Sequence, residues 1–239
     1  KSTTIKIILG LLRPSSGQCD ILGVPAGQRE ARSRIGYLPE SPFFYQFLTG
    51  RELVRFFAAI SGLRGRAREQ QVDVILETVR MLGSADRLVR TYSKGMVQRI
   101  GLAQALVHNP DILILDEPMS GLDPIGTREV IEILQDLRDS GKTILLASHL
   151  LSRVEEICDE IAILHKGQIV CQGSLPEITK ASESTIFKIP HLSPAKEKAV
   201  QEALRLLDIK ILEFGKDRRR LDDVFLTAIF DQSNSAKES

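Results

Sequence analysis

The stretch from Ile112 to Pro124 reads Ile-Leu-Ile-Leu-Asp-Glu-Pro-Met-Ser-Gly-Leu-Asp-Pro and indicates the fold class of the whole chain. Its four leading aliphatic residues are too few for a helix and are typical of a strand buried inside a parallel sheet. Asp116 and Glu117 follow where such a strand would emerge. Ligands of open α/β sheets bind beyond this edge, so these acids suit a divalent metal and an activated water. The dipeptide alone is also typical of an ordinary solvated turn.

The composition fits one full-sized domain with an appendage. The chain has 239 residues, of which 43% are apolar, and its 32 basic and 31 acidic residues leave a net charge of +1. This balance gives no argument for a nucleic-acid partner, and we expect none. The cysteines Cys19, Cys158 and Cys171 lack the C-x-x-C spacing of metal sites, so we expect buried thiols in a reducing compartment. No apolar run reaches the roughly 20 residues of a membrane span.

The chain opens on Lys1-Ser2-Thr3, followed by the apolar residues Ile5, Ile7 and Ile8. The opening matches the end of a phosphate-binding loop, G-x-x-x-x-G-K-[ST], of which only the last two positions are present. In such loops the lysine neutralises phosphate charge, and the hydroxyl that follows binds magnesium. Alone, these three residues are typical of an ordinary helix start, and the phosphate-loop interpretation depends on the acids at Asp116 and Glu117.

A mostly helical segment, from about residue 43 to residue 109, is inserted between predicted strands. Thr49 to Glu52 is a capping box, and apolar residues recur at helical spacing over Leu53 to Ile60 and Gln70 to Leu82. Further along, Ser93 lies at a predicted N-cap, and Gly95 allows a close backbone approach. Because helix N-termini bind anions, these two residues are candidates for a second phosphate contact. The alternative is an ordinary capped helix.

One more strand is expected to bring a histidine to the edge that carries the acids. Thr143 to Ala147 is aliphatic and ends at Ser148-His149, so His149 should lie beyond the carboxyl end of the strand, although a structural histidine is the alternative. A helix is predicted from Gly126 to Ser140. The remaining predicted strands of this region are Gln18 to Leu22, Ile35 to Glu40, Glu160 to Leu164 and Gln168 to Cys171.

Together these elements predict an α/β fold with a largely parallel central sheet, an inserted helical subdomain and a small C-terminal α/β appendage. The predicted domains are residues 1–178 and 179–239, because the composition turns polar at Thr179. The second domain is predicted to contain two strands and two helices, followed by a frayed tail from Asp231. These elements are strand Thr185 to Ile189, helix Pro194 to Leu207, strand Ile209 to Phe214 and helix Leu221 to Phe230.

Five elements in this order make the chain resemble the ATP-binding subunit of an ABC transporter, a P-loop NTPase. Lys1-Ser2-Thr3 matches the end of the Walker A motif, and Tyr92 to Met96 resembles the signature Leu-Ser-Gly-Gly-Gln. Ile112 to Glu117 matches Walker B with its catalytic glutamate, and Ser120 to Asp123 matches the D-loop. His149 matches the switch histidine. The resemblance covers residues 1–173 directly, and it is the order and spacing of the motifs that make it specific.

The chain departs from the family pattern at several positions. The Walker A glycines and the strand before them are absent, so we expect a fragment of a longer protein that binds ATP poorly as written. Glu40 stands where the family has the Q-loop glutamine, and Lys94 and Met96 replace a glycine and the glutamine of the signature. Leu221 to Leu226 is similar to C-termini in the branch of drug-resistance-type exporters.

The resemblance implies ATP and Mg²⁺ as ligands and ATP hydrolysis as the activity. Glu117 would activate the attacking water, and His149 would sense the γ-phosphate. Magnesium would be held by Ser2, Glu40 and Asp116. The residues implied to contact the nucleotide are Lys1, Ser2, Thr3, Glu40, Ser93, Gly95 and Asp123.

The resemblance also implies partners and a location. Two such domains would pair head to tail around ATP, so the partners would be a second ATP-binding subunit and a separate integral membrane permease. The chain would then work at the cytoplasmic face of the cell membrane, as a peripheral subunit of an exporter.

Three alternatives remain open. The first is an ABC-type ATPase without a transport role, such as a translation or repair factor; the single set of motifs and the absence of sustained heptads argue against it. The second is a module that dimerises on ATP without hydrolysing it, which the filled positions Glu117 and His149 disfavour. The third is a P-loop kinase or GTPase, which would not need the signature at Ser93 to Gly95.

Overall fold

The computed structural model describes residues 1–179, 192–207 and 209. The chain divides into two compact units, Lys1–Ile178 and Thr179–Ser239. The sheet and every candidate site residue lie in the first unit. In the second unit the described part contains one helix, α9 (Pro194–Leu206), which matches the predicted helix from Pro194 to Leu207 within one residue. The other elements predicted for that unit, and the exporter-like stretch Leu221 to Leu226, lie outside the described residues.

The first unit alternates strands and helices along the chain. The helices are α1 (Ser2–Ile8), α2 (Arg29–Ser33), α3 (Gly50–Ile60), α4 (Gly65–Thr78), α5 (Lys94–Leu106), α6 (Pro124–Asp139), α7 (Leu151–Ile157) and α8 (Leu175–Ile178). The strands are β1 (Asp20–Ile21), β2 (Val24–Pro25), β3 (Ile35–Leu38), β4 (Ile112–Asp116), β5 (Thr143–Ala147), β6 (Glu160–His165) and β7 (Gln168–Ser174). This mixture confirms the predicted α/β class.

A parallel sheet of three strands, in the order β3-β4-β5, forms the centre of the unit. Ile112 of β4 pairs with Ile35 on one side and with Thr143 on the other. Leu113, Ile114 and Leu115 are each at most 1% exposed, as expected for a strand covered on both faces. The prediction of a buried parallel strand leading to the two acids is therefore confirmed, and so is the predicted strand Thr143 to Ala147.

The segment between β3 and β4 is helical, as predicted. The capping box is present, because the backbone N–H of Glu52 donates to the Thr49 hydroxyl and that of Thr49 donates to the Glu52 carboxylate. Helix α3 consequently begins at Gly50 rather than at the predicted Leu53. The prediction for α4 was shifted towards the C-terminus: the helix ends at Thr78, and Arg80 takes a left-handed φ of 56° that no α-helix continues through.

Helix α5 packs closely on β3 because two glycines leave room for it. A side chain at Gly36 would overlap the backbone oxygen of Ala105, and one at Gly101 would press on the Leu38 side chain. Ile100, Leu102 and Ala103 are fully buried in the main core, which also takes in residues of β4 and α6. The position of the α5 N-terminus relative to the sheet is thereby fixed.

The remaining elements frame this centre. Strands β6 and β7 were both predicted, and the structure pairs them antiparallel, with a register shift between Ile163 and Leu164. The three cysteines are free thiols, as predicted, but they are only partly buried. Within the described ranges, none of the helices combines the length and apolarity needed to cross a bilayer.

Candidate functional site

The two acids after β4 lie at the carboxyl edge of the sheet in different backbone conformations. Asp116 is the last residue of β4 and is 9% exposed, whereas Glu117 is 7% exposed and has a left-handed φ of 51°. The Glu117 N–H donates to the Ala147 oxygen at 2.8 Å, which extends the pairing with β5 by one residue. A glutamate held in this conformation is locally strained, and such strain is concentrated at functional sites.

The carboxylate of Glu117 lies between a lysine and a histidine. Nζ of Lys1 is 2.8 Å from Oε1, and Nδ1 of His149 is 2.8 Å from Oε2. The backbone N–H of His149 also donates to Oε2, at 3.3 Å. Lys1 is 116 positions from Glu117 in the chain and His149 is 32 positions away, so only the fold brings the three groups together.

The surroundings of Glu117 change its acidity in opposing directions. Burial raises the pKa of the Glu117 carboxyl, but hydrogen bonds from Lys1 and His149 and the charge of Lys1 outweigh it, so the pKa lies below its ordinary value. The side chain is therefore ionised at neutral pH. An ionised carboxylate at this edge can accept a proton from a water molecule.

Asp116 differs from its neighbour because no described lysine, arginine or histidine forms an ion pair with it. Burial raises the pKa of the Tyr37 hydroxyl on the adjacent strand, and the charge of Asp116 raises it further. A nearly buried carboxylate without an ion-pair partner is suited to binding a cation. Among the described residues, however, no group of three or more His, Cys, Asp or Glu side chains is arranged to bind a metal.

The other predicted metal ligands are exposed, and magnesium binding at them stays a prediction. Ser2 is the first residue of α1 and Glu40 lies in the irregular segment after β3. Across the described part of the chain, no hydrogen bond joins either side chain to Asp116. A hydroxyl and carboxylates do match Mg²⁺, which takes one or two carboxylates and completes its shell with phosphate oxygens and water.

The second predicted phosphate contact lies at the start of α5. Ser93 is the N-cap, as predicted, and its hydroxyl accepts a hydrogen bond from the Met96 N–H at 3.3 Å. Gly95 faces the backbone of Gly126, because a Cβ built on it would be 3.7 Å from the Gly126 Cα. The Lys94 ammonium lies so close to Gly121 that any side chain there would collide with it. The signature-like start of α5 thus packs on the segment after β4.

Asp123 has a structural function that its interpretation as part of the D-loop did not include. It is the N-cap of α6, where its Oδ1 accepts from the Gly126 N–H at 2.7 Å, and Pro124 follows at the first helical position. Contact of Asp123, Thr3 or Gly95 with a nucleotide stays a prediction. The described residues contain no hydrogen bond between Lys1-Ser2-Thr3 and Ser93 to Gly95.

Sequence reasoning did not single out Gln98. This residue is 1% exposed, and its Nε2 donates to the backbone oxygen of Glu40 at 3.2 Å. The signal that pointed to it was a long polar side chain in a helix whose neighbours Val97, Ile100 and Leu102 are apolar. A buried amide of this kind requires a specific partner.

The family model described as ABC transporter matches residues 1–120, half of the chain. The chain belongs to the ABC transporter family. The match includes the residues that resemble Walker A, the signature and Walker B, so the resemblance seen in the sequence is confirmed for the ATP-binding domain of an ABC transporter.

Three relatives of similar sequence are ABC transporter ATP-binding proteins of bacteria. An uncharacterised one from Nostoc sp. (strain PCC 7120) is 46% identical, over 74% of this chain and 54% of its own length. Another from Synechocystis sp. (strain PCC 6803) is 36% identical over 95% of this chain and 71% of its own length. The bacitracin transport ATP-binding protein of Bacillus licheniformis is 40% identical over 71% of this chain and 56% of its own length. The chain thus spans little more than half the length of two of these relatives.

Solved structures confirm the ABC-type P-loop fold. The ATP-binding subunit of an ABC transporter superposes with a TM-score of 0.65 at 34% identity, covering 74% of this chain and 75% of that one. A dimeric ATP-binding cassette bound to ADP and Pi in a post-hydrolysis state has a TM-score of 0.64. The superposition covers 73% of this chain and 80% of that one. Its identity is 24%, so it supports the fold alone.

Proposed function

We propose that this ABC transporter chain hydrolyses ATP, with Glu117 as the carboxylate that orients and deprotonates the attacking water. The observation that supports this most is the placement of the Glu117 carboxylate between Lys1 Nζ and His149 Nδ1, at 2.8 Å from each. A base, a phosphate-binding cation and a polar sensor are the groups that phosphoryl transfer to water requires.

The reaction would follow from exchange of partners around Glu117. Phosphate oxygens of ATP would attract the Lys1 ammonium and release Oε1 of Glu117 to accept a hydrogen bond from water. As the water oxygen bonds to the γ-phosphorus, its proton passes to Glu117 and the bond from the γ-phosphorus to the bridging oxygen breaks. ADP and phosphate leave, and the proton is returned to the phosphate. General-base catalysis of this kind contributes about 10²–10⁴ in rate.

His149 would hold Glu117 and contact the γ-phosphate at the same time. Its Nδ1 is hydrogen-bonded to Oε2 of Glu117, and its Nε2 would donate to a phosphate oxygen when both ring nitrogens carry a proton. The side chain is 62% exposed and accessible to a ligand. A magnesium ion, which neutralises phosphate charge when bound, would be held by Asp116 and Ser2, with Glu40 contacting it or its water.

Hydrolysis would take place between two copies or paralogues paired head to tail. Ser93 and Gly95 make no hydrogen bond to Lys1-Ser2-Thr3 within the described residues, so the start of α5 would close on the nucleotide of the partner. Asp123 would contact the same interface from the D-loop. The resemblance of the chain to ATP-binding subunits of ABC transporters, which pair head to tail, supports this arrangement.

The wider role would be that of a peripheral subunit at the cytoplasmic face of the cell membrane. The inserted helices α3, α4 and α5 would pass the closing motion to a separate integral membrane permease. Export is proposed as the direction because Leu221 to Leu226 is similar in sequence to C-termini in the branch of drug-resistance-type exporters. No nucleic-acid partner is proposed, because the charges of the chain nearly cancel.

The test is ATP hydrolysis by the full-length protein, alone and as Glu117→Gln. We expect activity that rises more steeply than linearly with protein concentration and falls by about 10²–10⁴ in the variant, while ATP binding persists. Wild-type protein that binds ATP but turns over no faster than Glu117→Gln, even with a candidate permease present, would exclude the hydrolytic mechanism.

A further inference from the structure

A buried amide on α5 connects two segments that the proposed mechanism assigns to different nucleotides. Gln98 lies little more than one turn after Ser93, and its Nε2 donates to the backbone oxygen of Glu40 at 3.2 Å. In a head-to-tail pair, Glu40 faces the nucleotide bound by its own subunit. Ser93 of the same subunit faces the nucleotide bound by the partner. Gln98 therefore links these two segments by a direct hydrogen bond.

The rest of α5 makes this connection mechanically effective. The middle of the helix cannot slide on β3, because Gly101 and Gly36 place it in contact with Leu38 and with the β3 backbone. The segment after β3 is irregular at Glu40, so it is able to shift while the strand stays in place. A displacement of Glu40 would pull on Gln98, and α5 would pass the strain to its N-terminus.

The choice of glutamine at this position is not explained by stability. Oε1 of Gln98 is buried and accepts no hydrogen bond from any described protein group. An unsatisfied buried acceptor destabilises a fold, whereas an apolar side chain of similar shape at the same position would not. Methionine has nearly the length and volume of glutamine and packs readily in cores. The presence of a polar side chain at position 98 is therefore explained by something other than stability.

We infer that Gln98 is a positioning residue that couples the two nucleotide sites of the proposed dimer through its bond to the Glu40 backbone. Occupation of one site shifts Glu40, and through Gln98 this shift aligns Ser93 and Gly95 on the other nucleotide. The inference rests on the proposed function for the existence of the paired sites. Since coupling free energies are reciprocal, each nucleotide would favour binding of the other to the same extent.

The experiment compares Gln98→Met with a matched control, Gln71→Met, in the full-length protein. Gln71, on α4, makes the same kind of bond, from Nε2 to the backbone oxygen of Val107 at 3.3 Å, far along α5 from Glu40. Three quantities are measured for each protein: the Hill coefficient for binding of adenylyl-imidodiphosphate with Mg²⁺, the Hill coefficient for ATP hydrolysis, and the melting temperature.

For the wild type we expect both Hill coefficients to lie above one and below about two, the number of sites. Gln98→Met should lower them to about one at a melting temperature close to that of the wild type, because the unsatisfied Oε1 and the bond to the Glu40 oxygen are lost together. Gln71→Met should keep the wild-type Hill coefficients. Cooperativity retained by Gln98→Met, lost equally in both variants, or absent from binding by the wild type would overturn the inference. A wild type that binds the analogue cooperatively but does not hydrolyse ATP would contradict only the proposed function.

Discussion

The carboxyl edge of the sheet and the start of α5 are both proposed to contact phosphate, yet they are built in opposite ways. At the sheet edge, Glu117 is held by side chains that are 116 and 32 positions away. At the start of α5, Ser93 caps the helix with a hydrogen bond to Met96, three positions along the chain. The first region depends on charged side chains brought together by the fold, and the second on backbone N–H groups that any capped helix presents.

The difference has consequences for what each region can do. Lys1 and Glu117 form an ion pair, and the pair must separate before either side chain acts on a ligand. The sheet edge is therefore a region where side chains exchange one another for the ligand as hydrogen-bond partners. The N–H groups at the start of α5 are fixed in direction by the helix and need no rearrangement. Chemistry is therefore expected at the sheet edge, and closure on the nucleotide at α5.

After Glu117→Gln, the largest effect is expected from removing the histidine at the sheet edge. His149→Ala should lower the rate of ATP hydrolysis by about 10²–10³, because Glu117 loses the partner that orients Oε2. The double variant with Glu117→Gln should be about as slow as Glu117→Gln alone, since His149 is expected to act mainly by orienting the Glu117 carboxylate. The measurement is kcat at saturating ATP for the four proteins of this cycle.

His165→Ala is the matched control, because His165 ends β6 and has no assigned part in the reaction. Its kcat should equal that of the wild type. Losses from His149→Ala and Glu117→Gln that multiply in the double variant would mean that the two residues act independently, and the proposed exchange at the sheet edge would be wrong.

A smaller effect is expected at the start of α5, and it separates capping from ligand contact. Ser93→Ala should lower the free energy of unfolding by about 1 kcal/mol through loss of the cap, and hydrolysis should fall by about tenfold or more. Thr49→Ala removes a cap of the same kind from α3, with a comparable loss of stability. Denaturant unfolding and ATPase assays on both variants make the comparison.

Thr49→Ala should leave hydrolysis unchanged, because Thr49 is assigned no nucleotide contact, even though the start of α3 packs on Tyr92, the residue before Ser93. If both variants lose hydrolysis in proportion to their lost stability, Ser93 is a structural cap alone. The start of α5 would then no longer be a phosphate-contacting region, and the contrast with the sheet edge would disappear.

The smallest effect concerns acid stability of the sheet edge. Because the pKa of Glu117 is lowered in the folded protein, its ionised form stabilises the fold above the ordinary glutamate pKa of about 4.3. This contribution is lost as the pH falls through the lowered pKa. It should amount to at most about 1 kcal/mol, since Lys1 and His149 are 43% and 62% exposed and solvent screens the pair.

The measurement is the difference in unfolding free energy between wild type and Glu117→Gln as a function of pH. We expect the difference to shrink towards zero as the medium is acidified below pH 4 to about 2. A difference that is constant with pH, or that grows on acidification, would show that the contacts of Glu117 with Lys1 and His149 do not stabilise the fold.

Much of the fold could be predicted because its signals are local. The aliphatic run before Asp116 predicted a buried strand, and Thr49 with Glu52 predicted a helix start, and the structure confirms both. The end of α4 was misplaced, since apolar spacing continued through Val79 while the backbone turned at Arg80. The thiols were expected to be buried, but they are only half-buried, because amino-acid composition does not indicate how far a side chain lies below the surface.

The sequence by itself determined the family, the strand that carries the acids, and the caps at Thr49 and Ser93. These features depend on residue types within a few positions of one another, where hydrogen bonds and side-chain periodicity act directly. Only the tertiary structure decided that Lys1 and His149 hold the two oxygens of Glu117, and that Gln98 bonds the backbone of Glu40. Contacts between distant positions follow from how α5 and the strands pack, and no local pattern encodes that packing.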